Sequence, residues 1–315
     1  MLGTSLAIAA MAEAPALIGI DWGTSNFRAL LLDGAGNILD RRGGPHGILT
    51  VADGKFGRVL TARIGEWLAD GRLPILMSGM IGSRQGWVEA PYAATPAGLA
   101  DLASALAPVA FEAAEVRIVP GLRTEHDTRS DVIRGEETQI FGALAVLGTD
   151  HGRFLLPGTH SKWVVVEGGR VASFATYMTG EIFAAARDHT ILGRLMHDSR
   201  PSDAAFAKGV ALGAWPGAPG ALLSRLFAVR TAGLFSDLQP EELSDYLSGL
   251  LIGAEMADAV TVDRHPVGII ASEPLADRYH AAADILGVRA DIVSSDCIAM
   301  GYVAIARAAG LIGVV

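Results

Sequence analysis

The chain has 315 residues, 50% of them hydrophobic, with 38 Gly and 25 Lys and Arg against 34 Asp and Glu for a formal net charge of −9. That length suffices for two domains of roughly 150 residues, and the apolar half supplies a core to each, which excludes a disordered chain and a small stapled scaffold. An acidic balance without any Lys/Arg block excludes a footprint for a polyphosphate backbone, so no nucleic-acid partner is expected.

The single cysteine, Cys297, can build neither an internal disulfide nor a thiolate metal cluster, which fits a reducing, cytoplasmic setting. Residues 1–17 are rich in Ala and Leu but carry no basic residue ahead of the apolar stretch, so they read as a loose leader rather than a signal peptide, and Met11 is a candidate start. No apolar run reaches the ~18 residues of a membrane-spanning helix, so no membrane partner is expected.

In chain order, the first element is an apolar strand from Ile18 to Asp21, then a Gly23-Thr24-Ser25 turn, a second strand to Leu32 and an acidic-Gly turn into a third strand near Ile38. A helical stretch follows at Lys55–Leu68, a strand at Pro74–Ser78, a loop through Trp87 and a strand at Val116–Val119. Asp131–Gln139 leads into the apolar helical stretch Ile140–Leu147. Phe154–Val171 then repeats the opening pattern, with Gly158-Thr159 in the place of Gly23-Thr24. Helices between Glu181 and Asp258, a strand at Val267–Ala271, a helix at Leu275–Leu286, a strand at Ala290–Val293 and a last helix at Asp296–Ala308 complete the chain. This order predicts an α/β protein of two domains, 18–150 and 151–315, each with a mixed sheet flanked by helices, and ligands in the cleft between them.

No Walker loop, Rossmann glycine fingerprint, zinc-protease helix or hydrolase nucleophile elbow is present. The two Gly-Thr turns expose backbone amides that an anion can approach closely, so a pair of them can hold the β- and γ-phosphates of a nucleotide. The residues in question are Asp21, Gly23, Thr24 and Ser25 in the first and Gly158, Thr159, His160, Ser161 and Lys162 in the second, with Asp21 as the Mg²⁺ ligand. Alternatively, each turn only closes a hairpin.

Glu136 and Glu137 either complement a helix dipole or supply the carboxylate that accepts a hydroxyl proton in phosphoryl transfer, with Glu136 the candidate base and Glu137 its rival. The loop from Ser78 through Gly79, Met80, Ser83, Arg84 and Gln85, together with Arg28 and Arg134, offers hydrogen bonds and guanidinium groups suited to a polyhydroxylated carboxylate. The bland reading is a surface loop packed on Trp87 and arginines in surface ion pairs.

The segments Ile18–Arg28, Ser78–Trp87 with Ala90-Pro91-Tyr92, Arg134–Gln139, Pro157–Trp163, Met178–Glu181 and Leu247–Glu255, in that order along the chain, resemble 2-dehydro-3-deoxygalactonokinase. The resemblance implies two ribonuclease-H-like domains of the acetate and sugar kinase, heat-shock chaperone and actin superfamily, closing over ATP and Mg²⁺. It implies transfer of the γ-phosphoryl group to the 6-hydroxyl of 2-dehydro-3-deoxy-D-galactonate. Asp21 to Thr24 and Gly158 to Lys162 stand as the first and second phosphate motifs, and Gly135-Glu136-Glu137 stands where related sugar kinases place their catalytic acid. One departure is Ser272-Glu273-Pro274, where the superfamily's adenosine motif carries a glycine after the strand. Two rivals remain: a kinase for another 2-keto-3-deoxy acid such as the gluconate epimer, and a non-catalytic ATP-binding regulator of the same fold. A homodimer is left open.

Overall fold

The structure is a computed structural model that describes residues 14–69, 73–126, 128–197, 200–218, 220–260 and 266–313. Residues 1–13 of the expected leader lie outside them, and the first strand already starts at Pro15, ahead of the expected Ile18. The chain divides into two compact units, one of residues 1–151, 165–174 and 295–315, the other of 152–164 and 175–294.

The first unit opens with β1 (Pro15–Trp22), β2 (Phe27–Asp33) and β3 (Ile38–Gly44), then α1 (Phe56–Ile64), β4 (Ile75–Ser78), β5 (Tyr92–Ala94), β6 (Ala97–Gly98), α2 (Leu99–Ser104), β7 (Ala107–Val109) and β8 (Val116–Ile118). β9 (Gly121–His126), β10 (Arg129–Ile133) and α3 (Glu136–Leu147) follow. The main sheet runs β3-β2-β1-β4-β8-β7, antiparallel from β1 through β3 and parallel from β1 through β4 to β8. β1 is central and buried along Ile18–Ile20, whereas β3 alternates half-buried and exposed positions and carries Asp40, Arg41 and Arg42, which suit an edge strand. The Trp22, Phe27, Phe56 and Trp87 rings interlock in the core of this unit, so Trp87 packs as the bland reading of its loop has it.

The second unit holds β11 (Gly152–Leu156), the start of β12 (Ser161–Glu167), the end of β13 (Arg170–Tyr177), α4 (Thr179–His189), α5 (Asp203–Ala214), α6 (Ala221–Leu234), α7 (Leu243–Ala259), β14 (Val267–Ala271), α8 (Glu273–Leu286) and β15 (Ala290–Ser294). Its sheet runs β15-β14-β11-β12-β13, with β11, β14 and β15 parallel. This is the order of β8-β4-β1-β2-β3, so the internal echo read from the sequence is a repeated sheet topology, and the expected α/β class holds. The tip of the β12–β13 hairpin belongs to the first unit, where Arg170 and Val171 pair with β6. After β15 the chain ends in α9 (Ile298–Ala308), also in the first unit.

Glycines set the closest helix contacts. A Cβ on Gly301 of α9 would stand 1.9 Å from the Thr138 carbonyl of α3, and one on Gly142 would stand 1.9 Å from the Cys297 carbonyl. Gly301 and Gly142 therefore allow backbone-to-backbone packing of α9 on α3. Helix ends follow local rules: α3 stops at Gly148 and α8 at Gly287, both left-handed, and Pro274 sits in the first turn of α8.

Candidate active site

Asp21 is the next-to-last residue of β1, and the sheet register sets it between Arg28 on β2 and Ser78 on β4. Its side chain is 27% exposed and lies 3.8 Å from the Arg28 guanidinium. Burial pushes its carboxyl pKa up, and Arg28 pulls it back.

The turn that follows is braced from one side. The Gly23, Thr24 and Ser25 carbonyls accept from the amides of Ile48 (3.0 Å), Leu49 (3.3 Å) and Gly47 (3.0 Å). In a trans peptide the N–H points opposite the preceding C=O, so the amides of Thr24, Ser25 and Asn26 face away from that brace. Thr24 and Ser25 are exposed there.

Two glycines join this turn to the acidic segment. Gly79 follows β4 with φ +88°, and Gly135 precedes α3 with φ +113°. A Cβ on Gly79 would lie 3.2 Å from Asp21 Oδ1, and one on Gly135 would lie 3.1 Å from Gly79 Cα. Only glycine fits at either position, and their crossing brings the start of α3 beside Asp21. There the two glutamates part. Glu136 is half-buried, and its Oε2 accepts the Arg134 amide at 2.9 Å. Glu137 is wholly buried, its Oε2 accepting the Gly135 amide at 2.7 Å and its Oε1 the Thr138 hydroxyl at 3.2 Å. Burial first, and the neighbouring Glu136 charge second, push Glu137 up to about 8. Glu137 thus offers no surface to a substrate hydroxyl in this structure, whereas Glu136 keeps some.

Beside this cluster lies a cavity of about 350 Å³ lined by Ser83, Arg84, Gln85, Glu89, Tyr92 and Arg134. Arg134 is the fixed cation in it: its guanidinium lies 4.2 Å from the Tyr92 ring centroid, Nη2 donates to the Ala90 carbonyl at 2.8 Å, and Nε donates to the Tyr92 hydroxyl at 3.3 Å. Arg84 is 88% exposed and paired with Glu89. Two residues expected to contact substrate do not line this cavity. Ser78 is fully buried with its hydroxyl 2.6 Å from that of Tyr302, and Met80 packs against the apolar core. Tyr92, Glu89 and Tyr302 were not singled out by sequence reasoning. The Ala90-Pro91-Tyr92 segment was the available signal for the first two, while Tyr302 lies 224 positions from Ser78 and left none.

The second Gly-Thr turn is built within the other unit. Thr159 and His160 are exposed, Ser161 and Lys162 buried. The start of α4 presses on the turn: Glu181 N–H donates to the Thr159 carbonyl at 3.0 Å, a Cβ on Gly180 would stand 2.5 Å from the Gly158 carbonyl, and His160 Nε2 meets Glu181 Oε2. The Met178–Glu181 segment thus holds the turn in shape. Ser272, Glu273 and Pro274 form the entry of α8 after β14.

The model of the 2-keto-3-deoxy-galactonokinase family matches residues 21–305. The chain belongs to this family. It is 36% identical over 295 residues to a Rhizobium meliloti protein named a probable 2-dehydro-3-deoxygalactonokinase, covering 92% of this chain and 96% of that one. It is 34% identical over 281 residues to the 2-dehydro-3-deoxygalactonokinase of Escherichia coli K12, covering 89% and 93%. A solved Sinorhizobium meliloti structure of the same name superposes with a TM-score of 0.85 at 35% identity, over 93% of this chain and 98% of that one. The chain is thus a sugar-acid kinase that uses ATP, a phosphotransferase with an alcohol acceptor. The reading as a non-catalytic regulator falls away. Among the described residues no helix is long and apolar enough to cross a membrane.

Proposed function

We propose that this kinase transfers the γ-phosphoryl group of ATP to the 6-hydroxyl of 2-dehydro-3-deoxy-D-galactonate, with Glu136 as the base. The observation that supports the reading is the Gly79–Gly135 crossing: Gly79 meets Asp21, Gly135 immediately precedes Glu136, and Arg134, two residues before Glu136, stands in the cavity wall. Phosphoryl transfer needs positioning and charge neutralisation more than covalent help. Arg134, held by Tyr92 and Ala90, receives the substrate carboxylate, and Ser83, Arg84 and Gln85 meet its hydroxyls. Glu136 takes the proton of the attacking hydroxyl as the new P–O bond forms.

The Gly23–Ser25 amides and the Gly158–Lys162 segment bind phosphate oxygens. Asp21 would hold Mg²⁺, which would supply charge neutralisation to the bound nucleotide. Asp21, a partly exposed carboxylate, suits an ion that takes its other ligands from phosphate and water.

The test is direct measurement of phosphate transfer from ATP to the galactonate and gluconate forms of the 2-keto-3-deoxy acid. Faster transfer to the galactonate form is expected. Equal use of both would broaden the substrate, and no transfer to either would refute the reading.

A further inference from the structure

Behind the second Gly-Thr turn lies a buried carboxylate to which neither the sequence patterns nor the proposed chemistry gives a role. Glu255, in the last third of α7, is 3% exposed. Its Oε1 accepts the indole N–H of Trp163 at 2.8 Å, and its Oε2 accepts the Tyr279 hydroxyl at 2.7 Å. The Tyr279 oxygen lies 2.9 Å from Ser161 Oγ. Burial raises the Glu255 pKa, and hydrogen bonds from Thr179, Tyr279, Trp163 and Ser161 offset part of that rise. One carboxylate therefore ties together β12, α8 and the first residue of α4, the helix whose third residue, Glu181, holds Thr159.

Strand geometry says what this arrangement does. Along β12 successive side chains alternate between faces, so Ser161 and Trp163 share the face toward Glu255 and Lys162 between them projects from the other. Fixing the residues on either side of Lys162 fixes the strand from which it reaches out. A buried carboxylate is costly unless its acceptor sites are used, and here donors from β12, α8 and α4 use them. An apolar residue would fill the space without setting that direction.

We propose that Glu255 is a positioning residue for ATP: by clamping Ser161, through Tyr279, and Trp163, it sets the direction of Lys162. The inference rests on the reading of Lys162 as a phosphate ligand. Glu255→Gln keeps the size of the side chain but turns one acceptor oxygen into a donor, which opposes the Trp163 N–H or reverses the Tyr279 hydroxyl.

The experiment compares Glu255→Gln, Tyr279→Phe, Lys162→Ala and the Glu255→Gln/Lys162→Ala double variant. The readouts are KM for ATP, KM for the sugar acid, kcat and Tm. Glu255→Gln is expected to raise KM for ATP about ten-fold, which corresponds to about 1.4 kcal/mol, with KM for the sugar acid unchanged. In the Lys162→Ala background the same substitution should add nothing, because its effect passes through Lys162. Tyr279→Phe, which removes one hydroxyl from the chain of bonds, should raise KM for ATP in the same direction and serves if Glu255→Gln fails to fold. A lowered Tm with KM for ATP unchanged, or equal effects in both backgrounds, would overturn the proposal. If Lys162→Ala itself leaves KM for ATP unchanged, the reading of Lys162 fails and the positioning role with it.

Discussion

Glu137→Gln separates stability from chemistry at the start of α3. In the folded protein the Glu137 carboxyl titrates at about 8, because burial and the adjacent Glu136 disfavour its charge, whereas unfolding returns it to its ordinary value of 4.5. The folded state therefore binds the extra proton. Its favourable contribution is complete below the unfolded pKa and is lost as pH rises toward the folded one. At about 1.4 kcal/mol per pH unit over the interval in which only the folded state holds the proton, the wild-type protein should lose roughly 4 kcal/mol from this group between about pH 5 and pH 8. The amide introduced by Glu137→Gln carries no titrating proton and can still accept the Gly135 amide through its oxygen, so the variant should lose correspondingly less. Denaturant unfolding of both proteins at several pH values reads the difference. Parallel curves would refute the assigned burial and charge coupling. Activity supplies the second half of the test: Glu137→Gln should retain kcat, while Glu136→Gln should lose about 10²- to 10⁴-fold. A folded Glu137→Gln protein with kcat lost to that extent would reverse the choice of base.

Asp21→Asn should lower kcat about 100-fold or more with little change in KM for the sugar acid, and near-normal turnover at ordinary Mg²⁺ would remove the metal role. Arg134→Ala should raise KM for the sugar acid by at least about ten-fold, the scale of a charge-assisted bond, while Arg84→Ala stays within about three-fold; the reverse ranking in steady-state kinetics would place the carboxylate on Arg84. Gly301→Ala drives a methyl against the Thr138 carbonyl of α3 and should cost about 3 kcal/mol in denaturant unfolding, so an unchanged midpoint would mean that α3 and α9 separate without penalty.

What the sequence disclosed about this molecule was local or repeated. The two hairpins announce themselves because strand, Gly-Thr turn and strand follow within some twenty residues, and the second copy confirms the first; the strands at Pro74–Ser78, Val116–Val119 and Val267–Ala271 are apolar runs with clear ends. Glu136 and Glu137 could not be told apart by pattern. Adjacent positions on a helix point about 100° apart, and which one meets the core depends on how α3 seats against its surroundings. The burial of Ser78 is hidden from pattern for a similar reason. A polar residue at a strand end suggests a site wall, but this hydroxyl turns inward to Tyr302, a partner from the far end of the chain.

The least legible parts are the buried polar bonds, and they follow one logic in both units. In the first, the Ser78 hydroxyl beside Asp21 meets Tyr302, whose own pKa is pushed well up by burial and by the charges of Asp21 and Glu137. In the second, the Ser161 hydroxyl beside Lys162 meets Tyr279, which is raised in the same sense by burial and by Glu255. Each tyrosine thus stays neutral, keeps its proton for a hydrogen bond, and comes from a helix late in the chain. A strand end that must hold a polar side chain steady cannot rely on apolar contact alone, since such contact has no direction. A serine bonded to a buried tyrosine supplies direction at little cost in volume, and local sequence cannot reveal it because the two partners lie more than a hundred residues apart.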